Sequence, residues 1–211
     1  MIRSFHLRRW LTRLAGRAWR EDRAAQIVEF AVALPLLVLF VVGIFDFSGA
    51  FTLKQKLTNV ARDAARAAAA DPATDLSTAS VPASVSDAWQ LIDQYMQVNK
   101  LNECGMTAAS YTSGPPGLTW KYTATGNGCP PAGLTIIINR AYYFPANVAT
   151  QTAAANCVPG AVSSAQTAVV ATCVTIQYAY AWRFGRASSL LGSTSVLPST
   201  ITTTAVAMNE N

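Results

Sequence analysis

Four cysteines, Cys104, Cys129, Cys157 and Cys173, and one glutamate set inside an apolar run, Glu29, are the side chains whose type and context could do chemistry. The cysteines are even in number, and no two are spaced C-x-x-C. The single histidine, His6, lies near the opposite end of the chain. That pattern is poor for zinc and suits two disulfides in an oxidising compartment, so no metal is expected. Three pairings are open. Cys104–Cys129 and Cys157–Cys173 are favoured because each closes a local loop, and a bridge of this kind stabilises by about 2–4 kcal/mol.

Glu29 poses a different problem. A carboxylate in a membrane helix costs about 3 kcal/mol on insertion scales, so it takes a partner. One reading has it reach toward the headgroups or pair with Arg23. The other, which rests on the family resemblance given below, has an ammonium of its own chain or of a neighbour neutralise it, and a buried charge pair of that kind specifies register more than it adds stability.

Catalytic chemistry is not expected. With no histidine beyond His6, His-based acid–base and Ser-His-Asp mechanisms are excluded from the rest of the chain. The acids Asp71, Asp75, Asp87, Asp93, Glu103 and Glu210 are scattered, and no glycine-rich phosphate loop with a lysine occurs. The sequence reads as a non-enzyme with no cofactor.

The element that carries Glu29 is read from residues 24–45, AAQIVEFAVALPLLVLFVVGIF, whose one charge is Glu29. As a helix this run spans roughly 33 Å, close to the ~30 Å hydrocarbon thickness of a bilayer. Before it stand Arg3, Arg8, Arg9, Arg13, Arg17, Arg20 and Arg23 against Glu21 and Asp22. The formal charge of +5 therefore sits in this leader, and the remainder is neutral. A neutral remainder argues against nucleic acid as a partner. The arginine cluster puts the N-terminus in the cytoplasm and the C-terminal part outside the inner membrane. Three other readings of the run are weaker. A buried core helix conflicts with its apolarity on every face. A cleaved signal ending near Ser48-Gly49-Ala50 conflicts with its length and with the helical pattern running past that site. Arg8-Arg9-Trp10-Leu11 lies too far from the run for a twin-arginine signal. Pro35 should kink the helix.

Past Asp46 the pattern becomes amphipathic. Leu53, Leu57, Val60, Ala61, Ala64, Ala65 and Ala68 recur on one helical face, opposite Lys54, Lys56, Asn59, Arg62 and Arg66. Alanines 67–70 lead to a stop at Asp71-Pro72, so one helix is predicted from about residue 24 to 70.

The stretch from Val28 to Ala69 resembles the TadE-like family, minor pilins or pseudopilins of tight-adherence (Flp) pili. The resemblance rests on Glu29-Phe30, Pro35, Gly43, Gly49, Leu57-Thr58-Asn59, Ala61-Arg62 and Ala64-Ala65-Arg66. It implies a pilin-like architecture and a role in pilus biogenesis and secretion. It also implies cleavage by a prepilin peptidase between Ala24 and Ala25, which would make Glu29 the fifth mature residue. The family favours glycine where this sequence has Ala24. Glu29, Phe30 and Pro35 would then serve assembly and register with other pilins or pilus-assembly membrane proteins. Gly43, Gly49, Asn59, Arg62 and Arg66 complete the motif.

The remaining chain reads as a small exported domain. Residues 71–85 form a Pro-, Ser-, Thr- and Ala-rich linker, and a short helix follows, with Ser84 and Asp87 at capping-box spacing. Residues 118–124, 134–144, 168–184 and 201–208 are strand-like, separated by turn clusters at 114–117, 126–133 and 158–160. The expected fold class is α+β: a long N-terminal transmembrane helix continuing as an amphipathic helix, then an antiparallel sheet of about four strands with the short helix packed on it. The expected organisation is a leader at 1–24, an anchor and stalk helix at 25–70, a linker at 71–85 and a disulfide-bearing domain at 86–211. Two functions compete: a structural subunit or assembly factor of a pilus, and a static membrane-anchored binding or adhesion module.

Overall fold

A computed structural model describes residues 4–72, 74, 76, 80–112, 118–145, 157, 168–182 and 198–210. The expected turns at 114–117 and 158–160, residues 73, 75 and 77–79 of the 71–85 linker, Arg3 and the far end of the third predicted strand lie outside these residues. The chain divides into two compact units, Met1–Phe47 and Ser48–Asn211.

Helix α1 runs from Ser4 to Ala70. It reaches the predicted C-terminal stop but begins well before residue 24. The leader is rich in leucine, arginine and alanine, all strong helix formers, and holds no proline to end the pattern. Pro35 lies inside the helix.

The second unit is an antiparallel sheet with helices on one face. The strands are β1 (Tyr111–Thr112), β2 (Thr119–Ala124), β3 (Leu134–Pro145), β4 (Ala168–Ala179) and β5 (Thr200–Met208). Their order is β1-β2-β3-β4-β5, each antiparallel to the next. The four long strands answer to the four predicted ones, and two-residue β1 adds an edge. The third predicted strand is shorter than expected, β4 ending at Ala179.

Period-two alternation sorts the sheet's side chains. Trp120, Leu134, Ile136, Ile138, Val174, Ile176, Tyr178 and Ile201 join the main core, together with Leu57, Val60, Ala61, Ala64 and Ala68 of α1. Alanines at these positions let the helix axis lie close to the sheet. Helix α2 (Ala83–Val98) adds Val85, Ala88, Ile92 and Met96 to the same core. Ile137, Tyr142, Ala171 and Cys173 point to the opposite face, where they cluster with Cys157.

The expected capping box of α2 is absent. The helix is capped by Pro82, whose carbonyl accepts from the amides of Val85 at 3.1 Å and Ser86 at 3.0 Å. Ser84 therefore lies within the first turn, with its hydroxyl buried and unbonded among the described residues. Proline serves here because its missing N–H would have no helical partner in any case.

β3 carries a bulge. Asn139 pairs with Cys173 and Tyr142 with Ala171, so Arg140 and Ala141 together face Thr172. The Asn139 side chain holds it: its Oδ1 accepts from the Ala141 amide at 2.8 Å, and its Nδ2 donates to the Cys157 carbonyl at 2.9 Å. The bulge resets the alternation, so Arg140 shares the helix-side parity of Ile138 while Tyr142 turns to the far cluster.

Candidate functional site

The part of α1 that carries Glu29 is exposed along its length. Ile27 is 69%, Phe30 65% and Phe45 74% accessible, and Val32, Leu36, Leu37 and Phe40 are exposed as well. A soluble helix would bury such a stripe; this one is apolar on every side. The region from Ala25 contains the one described helix long and apolar enough to cross a membrane, with none of its most apolar window buried. Ala24 and Ala25 lie within the helix, and Glu29 and Pro35 are exposed on it. A side chain at Gly43 would meet nothing nearby.

From Ala50 onward the helix is half covered. Leu57, Val60, Ala61, Ala64, Ala65 and Ala68 are fully buried, as the spacing predicts, while Asn59, Arg62 and Arg66 are exposed on the other side. The motif thus splits by role. Its alanines pack against the sheet, and its polar members face outward. Gly49 does neither: a β-carbon there would lie 3.1 Å from the Tyr180 hydroxyl, so it marks a close approach between the helix and the end of β4.

The end of α1 is held by a residue that sequence reading passed over. Arg140 is 1% exposed. Its Nη1 donates to the Ala68 carbonyl and, at 2.7 Å, to Thr172 Oγ1; its Nη2 donates to the Asp71 carbonyl at 3.0 Å. Asn209 Oδ1 accepts from Thr172 Oγ1 at 2.6 Å. The last carbonyls of a helix lack intrahelical partners and carry its negative dipole end, and a guanidinium answers both. The available signal was a lone charge in the apolar strand IIINRAYYF.

The cysteines are joined as Cys104–Cys129 and Cys157–Cys173. The first bridge ties the loop after α2 to the β2–β3 turn; the second ties Cys157 to the centre of β4. Beside the first bridge lies a carboxylate pair that was not anticipated. Asp93 is 6% exposed. Gln97 Nε2 donates to Asp93 at 2.9 Å and to Glu103 at 3.1 Å, and the Thr107 hydroxyl donates to Glu103 at 3.2 Å and Asp93 at 3.3 Å. Burial, followed by hydrogen bonding and repulsion from Glu103, raises the Asp93 pKa above the ordinary 3.8. Tyr122, stacked on Trp89 with ring centroids 5.7 Å apart, is pushed up to about 12, chiefly by burial. Among the described residues, no three His, Cys, Asp or Glu side chains come together as a metal site would need.

An exposed apolar helix, single among the described residues, followed by a disulfide-bonded antiparallel sheet defines a class: a small α+β domain with a candidate membrane helix. Residues 24–66 match the family described as TadE-like protein, a pilus-associated, structural kind. No curated protein and no solved structure matches the chain.

Proposed function

We propose that this protein is a minor pilin or pseudopilin acting in the biogenesis of a tight-adherence pilus. Residues 25–70 serve as anchor and stalk in the inner membrane, the arginine-rich leader stays in the cytoplasm, and the domain at 86–211 works outside. The observation that carries the reading is where the family match falls on α1. The TadE-like match at 24–66 covers both the exposed apolar half of α1 and the half that packs under the sheet. A helix built this way can be held in a bilayer and later packed among similar helices without rebuilding its domain.

Glu29 supplies recognition in this scheme. Cleavage between Ala24 and Ala25 would remove the leader arginines and free an ammonium four residues from the carboxylate. That group, on this chain or a neighbour, neutralises Glu29 and selects one register. Partners are other pilins or pilus-assembly membrane proteins, with a prepilin peptidase as the processing enzyme. N-terminal sequencing of protein from membranes and from sheared filaments tests the proposal. A start at Ala25 in either fraction is expected. A start at Met1 in membranes, with no protein in sheared filaments, would instead support a static anchored module, the reading that Ala24 in place of glycine favours.

A further inference from the structure

We infer that the outer edge of β5 is a docking site for an extended segment of another protein, held by backbone pairing and by an acidic side chain of that segment set against Arg62. Both elements, residues 51–69 of α1 and β5, belong to the unit Ser48–Asn211, so the site is the same whether or not the chain acts in a pilus.

The sheet ends differently on its two sides. β1 closes one side with two residues, too short to template a neighbour. β5 closes the other with nine residues, TITTTAVAM, and its pairing with β4 runs without a register shift from Thr200 to Met208. An edge strand turns alternate N–H and C=O groups outward. Those of β5 meet no hydrogen-bond partner among the described residues. Proteins blunt a long edge with a charge, a proline or a bulge, and β5 has none of the three. It is therefore a template on which an added strand can pair.

The flank of α1 beside this edge says what the segment carries. Thr58 Oγ1 lies 3.0 Å from Thr203 Oγ1, and the Glu210 amide donates to the Ala69 carbonyl at 3.3 Å. The helix thus runs alongside β5 for about three turns. Arg62 is one turn past Thr58 and rotated about 40° further from the buried line of Leu57, Ala61 and Ala64, which aims it over the open edge. It is exposed, and among the described residues no carboxylate pairs with it. Phe51, two turns before Thr58 on the same side, is 63% exposed. A strand laid on β5 therefore turns one face to an apolar ring and, farther along, to a guanidinium. A second copy pairing through its own β5 would present Ile201, Thr203, Ala205 and Ala207 on that face and leave Arg62 unanswered. A foreign segment with an apolar residue and an acid on one face answers both, since a carboxylate accepts from a guanidinium in a fork.

The test uses full-length protein in detergent and a fluorescent peptide as long as β5. The peptide alternates threonine with a face of phenylalanine, valine, glutamate and valine, and is made in both chain directions. Polarisation should show saturable binding in one direction, and hydrogen exchange should slow at the β5 amides. Methylating the peptide's backbone nitrogens at alternate residues should abolish binding in one parity and spare it in the other, as strand pairing requires. Lysine in place of the peptide's glutamate should weaken binding about fivefold, and Arg62→Glu, a change at an exposed site, should reverse that preference. No saturable binding in either direction, or binding without protection of β5, overturns the docking edge. Binding indifferent to the glutamate and to Arg62→Glu overturns the acidic partner. Protection of β5 that grows with protein concentration in the absence of peptide overturns the foreign segment in favour of a second copy.

Discussion

The guanidinium of Arg140, in the bulge of β3, donates to the backbone carbonyl of Ala68 at the end of α1, 72 residues away in the chain. The same side chain reaches the Asp71 carbonyl and Thr172. One buried cation thus closes the end of α1 and fixes it to the sheet.

Replacing Arg140 should therefore cost far more than a surface arginine would. Arg140→Ala leaves the buried carbonyls of Ala68 and Asp71 without their donor, and we expect a loss of about 3 kcal/mol. Guanidinium chloride unfolding followed by circular dichroism measures it. Arg140→Lys should recover only part, since an ammonium cannot fork to both carbonyls and Thr172. A loss below about 0.5 kcal/mol, the range of ordinary surface changes, would remove Arg140 from this role.

The two bridges should behave as independent staples. Cys104 and Cys129 are 25 residues apart and Cys157 and Cys173 are 16 apart. Loops of these lengths predict roughly 3 kcal/mol each. Cys104→Ser with Cys129→Ser, and Cys157→Ser with Cys173→Ser, should each lower the midpoint of unfolding by a comparable amount. Peptide mapping without reductant should yield these two cross-links; recovery of four free thiols from exported protein would contradict them.

Stability should fall with rising pH across the window that Asp93 controls. Its folded pKa is raised by burial and then by Glu103, so the folded state holds a proton that the unfolded state has released. The contribution is fully present below 3.8, the unfolded value, and is lost as pH rises through the higher folded value. Asp93→Asn should keep the Gln97 and Thr107 contacts in outline and flatten this part of the profile. Thermal unfolding measured from acid to neutral pH decides it, an unchanged slope in the variant being the contrary result.

Gly133 permits the β2–β3 connection. It sits at φ +61°, and a β-carbon would run into the Ala124 carbonyl and lie 2.9 Å from Thr125 Cγ2. Gly133→Ala should cost about 1–3 kcal/mol from the left-handed backbone and the clash together. A denaturant midpoint equal to wild type would show that the turn can relax.

Under the proposed pilin role, in which the carboxylate and not the length of the run carries register, Glu29→Gln should insert into membranes as wild type does and incorporate poorly into pili. Membrane fractionation beside immunodetection in sheared filaments separates the two effects. Equal incorporation would end the register role.

What could be read locally was read from repeats of known period. Leu57, Val60, Ala61, Ala64 and Ala68 recur at helical spacing, and all are buried. Residues 24–45 are apolar with no preferred face, and those described from 25 onward have no face packed in the fold. The strands showed as β-branched and aromatic stretches between turn residues, and the favoured cysteine pairs are the short-range ones the structure contains. Each of these is a property of neighbours in sequence, set by backbone periodicity and side-chain transfer from water. The tertiary structure alone decided that a bulge after Asn139 would turn Arg140 toward the end of α1. It also set Asp93 against Glu103, and Gly49 beneath Tyr180. Those relations join residues far apart in the chain, and a charge or a glycine has no periodic partner to announce it; only the register of the sheet brings them within reach.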